Sequence, residues 1–232
     1  MTDRPTKPDE APAALPTGST EEWGFRPPGE PLPDAAVLEP CGGFWVFGYG
    51  SLMWNPGFAA AARRPAVLPG YRRSFCLWSV HYRGTRERPG LVVALDEDPK
   101  AETRGVAFWV EAAAAPATRA YLAERELISG SYFETVAPMR LLSPDGAAPA
   151  EEARTLTYVI DRGHEQYAGD LTLEQQAAVI AESVGPLGPN DEYLHNTVAQ
   201  LKAEGLSDAE LGDLGVLEAL VRARRAERLK PS

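Results

Sequence analysis

A glycine-rich stretch, WVFGYGSLMWNPGF at residues 45–58, is the first place in the chain whose residue types could do chemistry. An apolar strand leads into it, and the turn signal Asn-Pro-Gly closes it. A dinucleotide-binding loop would need a third glycine where Met53 stands, and a helix where Asn-Pro-Gly follows. A nucleophile elbow would need glycines in place of Tyr49 and Met53, on either side of Ser51. The sequence therefore excludes both motifs.

Two interpretations of the segment Gly48-Tyr49-Gly50-Ser51 remain open. In the first, the glycines only let the strand exit sharply, through a positive φ or a close approach of the backbone. In the second, they let successive N–H groups point into one cavity as a nest, which could hold a carboxylate or stabilise an oxyanion. The hydroxyls of Tyr49 and Ser51 would then add to the site. The nest requires a base elsewhere in the chain.

Histidines and cysteines are scarce in this chain. Of His81, His164 and His195, only His81 ends a strand close to the expected cavity walls. No second ligand is spaced with it, so the sequence predicts no metal site. Cys41 and Cys76 lack a CxxC spacing, which indicates neither a zinc site nor a disulfide framework.

Glu126 is the most informative carboxylate. It follows Leu122 by four positions in the helical pattern PATRAYLAERELISG, so both side chains project from nearly the same helical face. A carboxylate on the inward face of a helix is costly unless it is paired or used. Two interpretations stay open: a catalytic acid–base group, or a buried ion pair with Arg72 or Arg73. The neighbouring Arg125 is predicted to face a different way.

Six strand-like runs and a helical last third must position these residues. The strand-like runs are FWVFG, YRRSFCLWSV, GLVVAL, GVAFWV, TVAPMRLL and TLTYVI. A helix that stops at Gly130 separates the fourth run from the fifth. The capping and stop signals of the last third are Thr172–Gln175, Ser207–Glu210, Gly185, Gly205 and the N-cap Asn190. Strands first and helices late predict an α+β fold with a curved or barrel-like sheet.

Composition limits the class of protein. Residues 1–40 are rich in Pro and Ala and show no hydrophobic period, so they are predicted to form a mobile arm before a single domain at 41–232. The net charge of −10 argues against binding to nucleic acid or to anionic membranes. The N-terminus lacks the apolar core of a signal peptide, and no run approaches the ~20 apolar residues of a membrane span. We therefore expect a cytoplasmic protein, and the sequence does not indicate its oligomeric state.

Several motifs occur together in a fixed order. They are FGYGSL after the first strand, RRSF and RG…PG in the next strands, RELISGSY after the helix, and YAGDLTLEQQAAVIAESVGPLGPNDEYL in the tail. In this order, from Phe44 to Arg225, the chain resembles the ChaC-type γ-glutamylcyclotransferases. The resemblance implies a small mixed β-barrel with flanking helices, concentrated in the C-terminal third. It also implies cleavage of glutathione to 5-oxoproline and cysteinylglycine without a metal or organic cofactor.

The resemblance also implies roles for particular residues. Glu126 would be the catalytic carboxylate, with Gly130 and Tyr132 in the same motif. The residues implied to form the substrate-holding loop are Tyr49, Gly50, Ser51 and Leu52. Tyr158 is a candidate cavity residue, although a buried strand tyrosine commonly serves only packing. Tyr82 stands where the eukaryotic branch of the family has a histidine before Arg-Gly. This difference implies a change in how the Cys-Gly half of glutathione is held.

The implied reaction makes sense of these residue types. The substrate's own α-amine attacks its γ-carbonyl, so the enzyme needs to fold the substrate and move protons rather than supply a nucleophile. One carboxylate can serve both proton transfers, and burial would raise the pKa of Glu126 toward the range where it is an effective base. The alternatives are a non-catalytic module that binds a γ-glutamyl or amino-acid ligand, and a cyclotransferase for other γ-glutamyl amines. The carboxylate at Glu126 favours an enzyme over the binding module.

Overall fold

Five strands close into a barrel in the computed structural model, which describes residues 29–143, 145–146, 148–169 and 171–228. The strands are β1 (Phe44–Gly48), β2 (Ala62–Ser79), β3 (Gly90–Val110), β4 (Tyr132–Leu142) and β5 (Pro149–Ile160). Their order around the barrel is β1-β3-β2-β4-β5. Strand β5 runs parallel to β1 and to β3, whereas the other pairs are antiparallel. The predicted mixed barrel of an α+β fold is therefore confirmed.

The number of strands differs from the prediction because two predicted runs belong to one strand. GLVVAL and GVAFWV are the two ends of β3, and β2 begins at Ala62 rather than at Tyr71. A register shift between Pro69 and Tyr71 sets Tyr71 opposite Glu97 and Pro69 opposite Glu102. Gly70, with φ of 82°, allows the bend between them. Polar residues and prolines are typical of loops, and both occur near this bend of β2. The sequence therefore indicates a loop here, whereas the β2–β3 hairpin continues through it.

The apolar side chains of all five strands meet inside the barrel. The largest fully buried side chains include Phe44, Phe47, Phe75, Leu68, Leu91, Leu95, Leu141, Leu156 and Tyr158. Burying an aliphatic or phenylalanine side chain of this size stabilises a fold by about 1.5–3 kcal/mol. Cys76 belongs to this core, whereas Cys41 is exposed.

Six helices accompany the barrel in the described residues. They are α1 (Asp34–Val37), α2 (Ala115–Glu126), α3 (Leu173–Glu182), α4 (Asn190–Ala203), α5 (Asp208–Leu211) and α6 (Asp213–Arg228). The capping box of Thr172 and Gln175 is present at the start of α3. The hydroxyl and backbone of Ser207 both bond Glu210, so the second predicted capping box is also confirmed.

Three predicted helix boundaries are wrong. Helix α2 ends at Glu126, and Gly130, with φ of 65°, lies in the turn that follows. Helix α3 ends at Glu182, because Gly185 belongs to a two-residue strand β6 (Val184–Gly185) that pairs with β7 (Gly188–Pro189). Asn190 is not the N-cap of α4, since its side-chain amide instead bonds both backbone groups of Leu91.

Part of the predicted arm contacts α2, the turn that follows α2, and β4. The N–H of Gly29 donates to the carbonyl of Leu127 at 2.9 Å. The N–H of Leu32 donates to Glu134 at 2.6 Å, and Arg119 donates to the carbonyl of Leu32. Residues 1–28 of the arm lie outside the described residues. No helix in the described part of the chain combines the length and apolar character that crossing a membrane requires.

Candidate active site

All seven residues that the sequence analysis assigned to the site line one cavity of about 380 Å³. They are Tyr49, Gly50, Ser51, Leu52, Glu126, Tyr132 and Tyr158. The volume falls in the range of small-molecule sites, about 300–1,000 Å³. These residues come from the end of β1, the end of α2, the start of β4 and the end of β5, which are far apart in the chain. Closure of the barrel brings the strand ends together, and α2 ends beside them.

The glycine loop follows β1 directly. Its Gly50 has φ of −128°, so a left-handed conformation is not what requires glycine here. Instead, a Cβ atom at this position would lie 2.8 Å from Val93 Cγ2 and 3.1 Å from the hydroxyl of Tyr193. The strand exit therefore uses glycine at position 50 because neighbouring groups approach the backbone closely, and not because φ is positive. Next comes a short 3₁₀ helix, η1 (Ser51–Met53), whose first N–H groups have no acceptor within the turn.

A half-buried arginine holds the backbone of this loop. Arg73 donates from Nε to the carbonyl of Tyr49 at 2.7 Å and from Nη2 to the carbonyl of Arg104. Burial lowers the pKa of Arg73 to about 10, so it remains charged at neutral pH. The RRSF motif thus supplies an anchor for the backbone of the loop.

Tyrosines form much of the cavity wall. Tyr49 donates to the carbonyl of Tyr158 at 2.9 Å, and Tyr158 donates to Glu134 at 3.0 Å. Tyr132 is oriented toward the carbonyl of Val93 at 3.4 Å. Burial raises the pKa of Tyr49, Tyr132 and Tyr158, and the charge of Glu126 raises each of them further. These hydroxyls therefore stay neutral; each donates to a protein oxygen, and its own oxygen can accept a hydrogen bond from the cavity side.

Glu126 is the acid at the centre of the wall. It is the last residue of α2, and its side chain is 16% exposed. Burial raises the pKa of Glu126, while the charge of Arg125 opposes that rise. The direction of this shift is the one predicted from the sequence. A carboxyl with a raised pKa next to a substrate-sized cavity is a stronger base than an ordinary glutamate and is suited to accept a proton from a bound molecule.

The predicted orientation of Arg125 is wrong. Its Nε lies 3.2 Å from a carboxylate oxygen of Glu126, because the end of α2 frees both side chains to turn toward each other. The two arginines that the sequence offers as ion-pair partners of Glu126 contact other groups. Arg72 Nη2 lies 3.6 Å from a carboxylate oxygen of Asp96, and Arg73 donates to backbone carbonyls.

Arg125 also reaches the glycine loop. It donates to Ser51 Oγ at 2.9 Å, to the carbonyl of Asn55 at 2.7 Å, and to the hydroxyl of Tyr121 at 2.8 Å. The five N–H groups of a guanidinium, set in a rigid fork, make this kind of bridging possible. One side chain therefore joins the acid to the loop.

The histidines divide as predicted. His81 lines the cavity, whereas His164 and His195 bond the backbone elsewhere. The Nδ1 of His164 accepts from Gln166, and that of His195 lies 2.7 Å from the carbonyl of Asp191. Across the described ranges, no three His, Cys, Asp or Glu side chains are grouped as a metal site would require.

Sequence reasoning missed several cavity residues. Tyr193 lines the cavity from α4 and packs edge-on against Trp54 at 5.8 Å between ring centres. Arg83 and Arg125 also line it. No local spacing connects Tyr193 to a loop more than a hundred residues before it. For Arg125, the sequence carries one signal of a role in the site, its position next to Glu126. The geometry of a continuous helix nevertheless predicts that the two side chains face different ways.

Comparisons with known proteins agree on one family. The model of the ChaC-like protein family matches residues 44–224. A protein of Escherichia coli (strain K12) named glutathione-specific gamma-glutamylcyclotransferase is 35% identical over 173 residues, covering 75% of this chain and 71% of that protein. A protein of the same name from Schizosaccharomyces pombe (strain 972) is 33% identical over 173 residues, covering 68% of this chain and 82% of that protein.

A solved structure is similar as well. The crystal structure of a selenomethionine-labelled gamma-glutamyl cyclotransferase specific to glutathione from yeast superposes with a TM-score of 0.72 at 26% identity. The superposition covers 82% of this chain and 100% of the yeast chain. The family match spans the barrel, the glycine loop and Glu126. The chain therefore belongs to the ChaC-like protein family.

Proposed function

We propose that this protein is a glutathione-specific γ-glutamylcyclotransferase, a lyase that converts glutathione to 5-oxoproline and cysteinylglycine. The observation that carries the proposal is the position of Glu126. Its buried carboxyl lies in the wall of a substrate-sized cavity that the glycine loop also lines. The names of the Escherichia coli and Schizosaccharomyces pombe relatives support the same activity.

The proposed reaction needs only proton transfers from the protein. The α-amine of the γ-glutamyl group forms a C–N bond to the γ-carbonyl carbon, and the amide bond to cysteine breaks. Glu126 takes a proton from the attacking amine and gives one to the leaving amine, so that atoms and charges balance without water. Because the raised pKa of Glu126 lies closer to that of an α-ammonium, ~8, than the pKa of an ordinary glutamate does, the carboxylate takes the proton from the attacking amine more readily and then holds it for the leaving amine.

The cavity supplies positioning and electrostatic stabilisation. Holding the substrate folded, with amine and carbonyl in contact, can contribute about 7–11 kcal/mol to lowering the barrier of such an intramolecular reaction. We assign the backbone N–H groups of Gly50 and Ser51 to the substrate carboxylate or the developing oxyanion, because η1 begins there and both residues line the cavity. The neutral hydroxyls of Tyr49 and Tyr132 complete a wall that keeps water away from Glu126.

The test is the release of 5-oxoproline from glutathione and from γ-glutamyl-alanine by the purified protein. We expect release from glutathione, reduced about 10²–10⁴-fold in kcat by Glu126→Gln. Glu124→Gln is the matched control, because Glu124 lies on the same helix but is exposed. Equal release from both substrates would instead identify a cyclotransferase for γ-glutamyl amines in general. No release by the folded protein would favour the non-catalytic binding module.

A further inference from the structure

Arg83 is a second guanidinium on the cavity wall, and the reaction described above does not use it. Its side chain is 12% exposed, and its Cζ atom lies 5.7 Å from the ring centre of Tyr193. Its Nη1 donates to the carbonyl of Pro189 at 3.1 Å. The same Nη1 lies 3.8 Å from a carboxylate oxygen of Glu192, whose side chain is 55% exposed. Among the described residues, the ion pair of this largely buried cation is a long one, so the guanidinium is suited to bind an anion from the cavity side.

The loop that carries Arg83 is built tightly. The N–H of Arg83 donates to Ser79 Oγ at 3.0 Å. A Cβ atom on Gly84 would lie 2.1 Å from the nitrogen of Gly90, so the loop closes on itself with no room for a side chain there. The N–H of Leu187 donates to the carbonyl of Tyr82 at 2.9 Å and docks the β6–β7 hairpin on the loop. The guanidinium is thus presented from a rigid support, as a binding residue requires.

Arg83 and Glu126 both line the cavity, and the ring of Tyr193 lies beside Arg83. Burial raises the pKa of Tyr193, the charge of Glu126 raises it further, and the charges of Arg73 and Arg83 lower it. The pKa of Glu126, in contrast, responds to burial and to Arg125. Arg83 thus lies against the ring of Tyr193, whereas the cation in contact with Glu126 is Arg125, at 3.2 Å.

We propose, on the basis of the function proposed above, that Arg83 binds the carboxylate at the dipeptide end of the substrate. In glutathione this group is the glycyl carboxylate. Two residues separate it from the γ-carbonyl, a span of up to about 7 Å when extended. Substrates of this site are thus γ-glutamyl peptides with a free C-terminal carboxylate, and a planar fork suits such a group. The cavity distinguishes them from simple γ-glutamyl amines.

The test compares binding of glutathione with binding of its C-terminal amide, which lacks the negative charge. Dissociation constants are measured by calorimetry in the Glu126→Gln background, where turnover does not interfere. Because bonds to a charged group contribute about 1.5–3 kcal/mol, we expect Arg83→Met to weaken glutathione binding about 10- to 100-fold and amide binding by less than about threefold. The proposed activity is tested separately, by 5-oxoproline release from the unmodified protein.

Two further variants sharpen the comparison. Arg83→Lys keeps the charge but not the fork, and we expect it to weaken glutathione binding less than Arg83→Met does. Arg88→Met removes an exposed charge of the same loop and should leave both affinities unchanged. Equal weakening of both ligands by Arg83→Met and by Arg83→Lys would overturn the inference, since the arginine would then serve the hairpin or the α-carboxylate. Undetectable binding of glutathione to the Glu126→Gln protein would overturn it too.

Discussion

The Nε atom of Arg125 lies 3.2 Å from a carboxylate oxygen of Glu126, its neighbour in the chain. Consecutive residues do not face each other within a helix, so this contact depends on α2 ending at Glu126. Because Arg125 also bonds Ser51 Oγ, the acid and the glycine loop share one guanidinium. Both the proton affinity of the acid and the position of the loop therefore depend on Arg125.

Arg125→Gln should move the acidic limb of the pH profile of kcat/KM to higher pH. Burial raises the pKa of Glu126 and the charge of Arg125 lowers it, so removing that charge leaves the raising effect unopposed. Loss of the bond to Ser51 should also reduce kcat/KM at neutral pH by up to about 100-fold, because the loop would shift. Tyr121→Phe removes one contact of Arg125 without changing charge and should leave the limb in place. An acidic limb unmoved in Arg125→Gln would contradict this coupling.

Gly50→Ala should impair the site by steric overlap. The added methyl group would lie 2.8 Å from Val93 Cγ2 and 3.1 Å from the hydroxyl of Tyr193. Overpacking of this kind costs about 1–3 kcal/mol, measurable as a lower urea midpoint, and kcat/KM should fall with it. Combining Gly50→Ala with Val93→Ala removes the closest atom and should recover part of both losses. The prediction is wrong if Gly50→Ala is fully active, or if Val93→Ala gives no recovery.

The pair of Arg119 and Glu134 should matter more to stability than an exposed pair of equal length. Its N–O distance is 2.9 Å, and the two side chains are 9% and 0% exposed. Breaking it by Glu134→Gln should cost about 3–5 kcal/mol of unfolding free energy, because the buried guanidinium of Arg119 keeps only a 3.5 Å pair to the exposed Asp34. The exposed control is Arg222→Gln, which removes a 2.9 Å pair to Glu218 and should cost at most about 1 kcal/mol. Similar losses in the two variants, by denaturant unfolding, would refute the prediction.

Glu126→Gln should be more stable than the unmodified protein at pH 7. The pKa of Glu126 is raised above the ordinary 4.5, so between these values the folded state binds more protons than the unfolded state. Stability is therefore lost as pH rises from 4.5 through the raised pKa, and it stays lost above it. The glutamine variant has no such loss. Melting temperatures at pH 7 and pH 4 should show a gain that shrinks in acid, and Glu124→Gln should show none.

The parts of the fold that local patterns encode could be predicted from the sequence. The apolar run of β1, the helix before Glu126 and the capping box at Thr172 are all matched by the structure. The two long strands could not be recognised as continuous. Their bend at Gly70 combines prolines and polar residues, and only the pairing of β2 with β3 holds it in the sheet.

Contacts between distant segments limited what could be predicted of the site. The amide of Asn190 is an N-cap candidate by type, yet it bonds the backbone of Leu91, a partner 99 residues away. Tyr193 likewise lines the cavity only because α4 packs beside β3. The family resemblance points to the glycine loop and to Glu126. The groups that support them can be recognised only from the contacts that form when the barrel closes.

The burial of Cys76 has a consequence for an enzyme whose proposed substrate is itself a thiol. Burial raises the pKa of Cys76 to about 11, so about one sulfur in ten thousand is a thiolate at pH 7. Thiol–disulfide exchange proceeds through thiolates that the partner can reach, and this one meets neither condition. In oxidising conditions we therefore expect mixed disulfides with glutathione at the exposed Cys41 and not at Cys76.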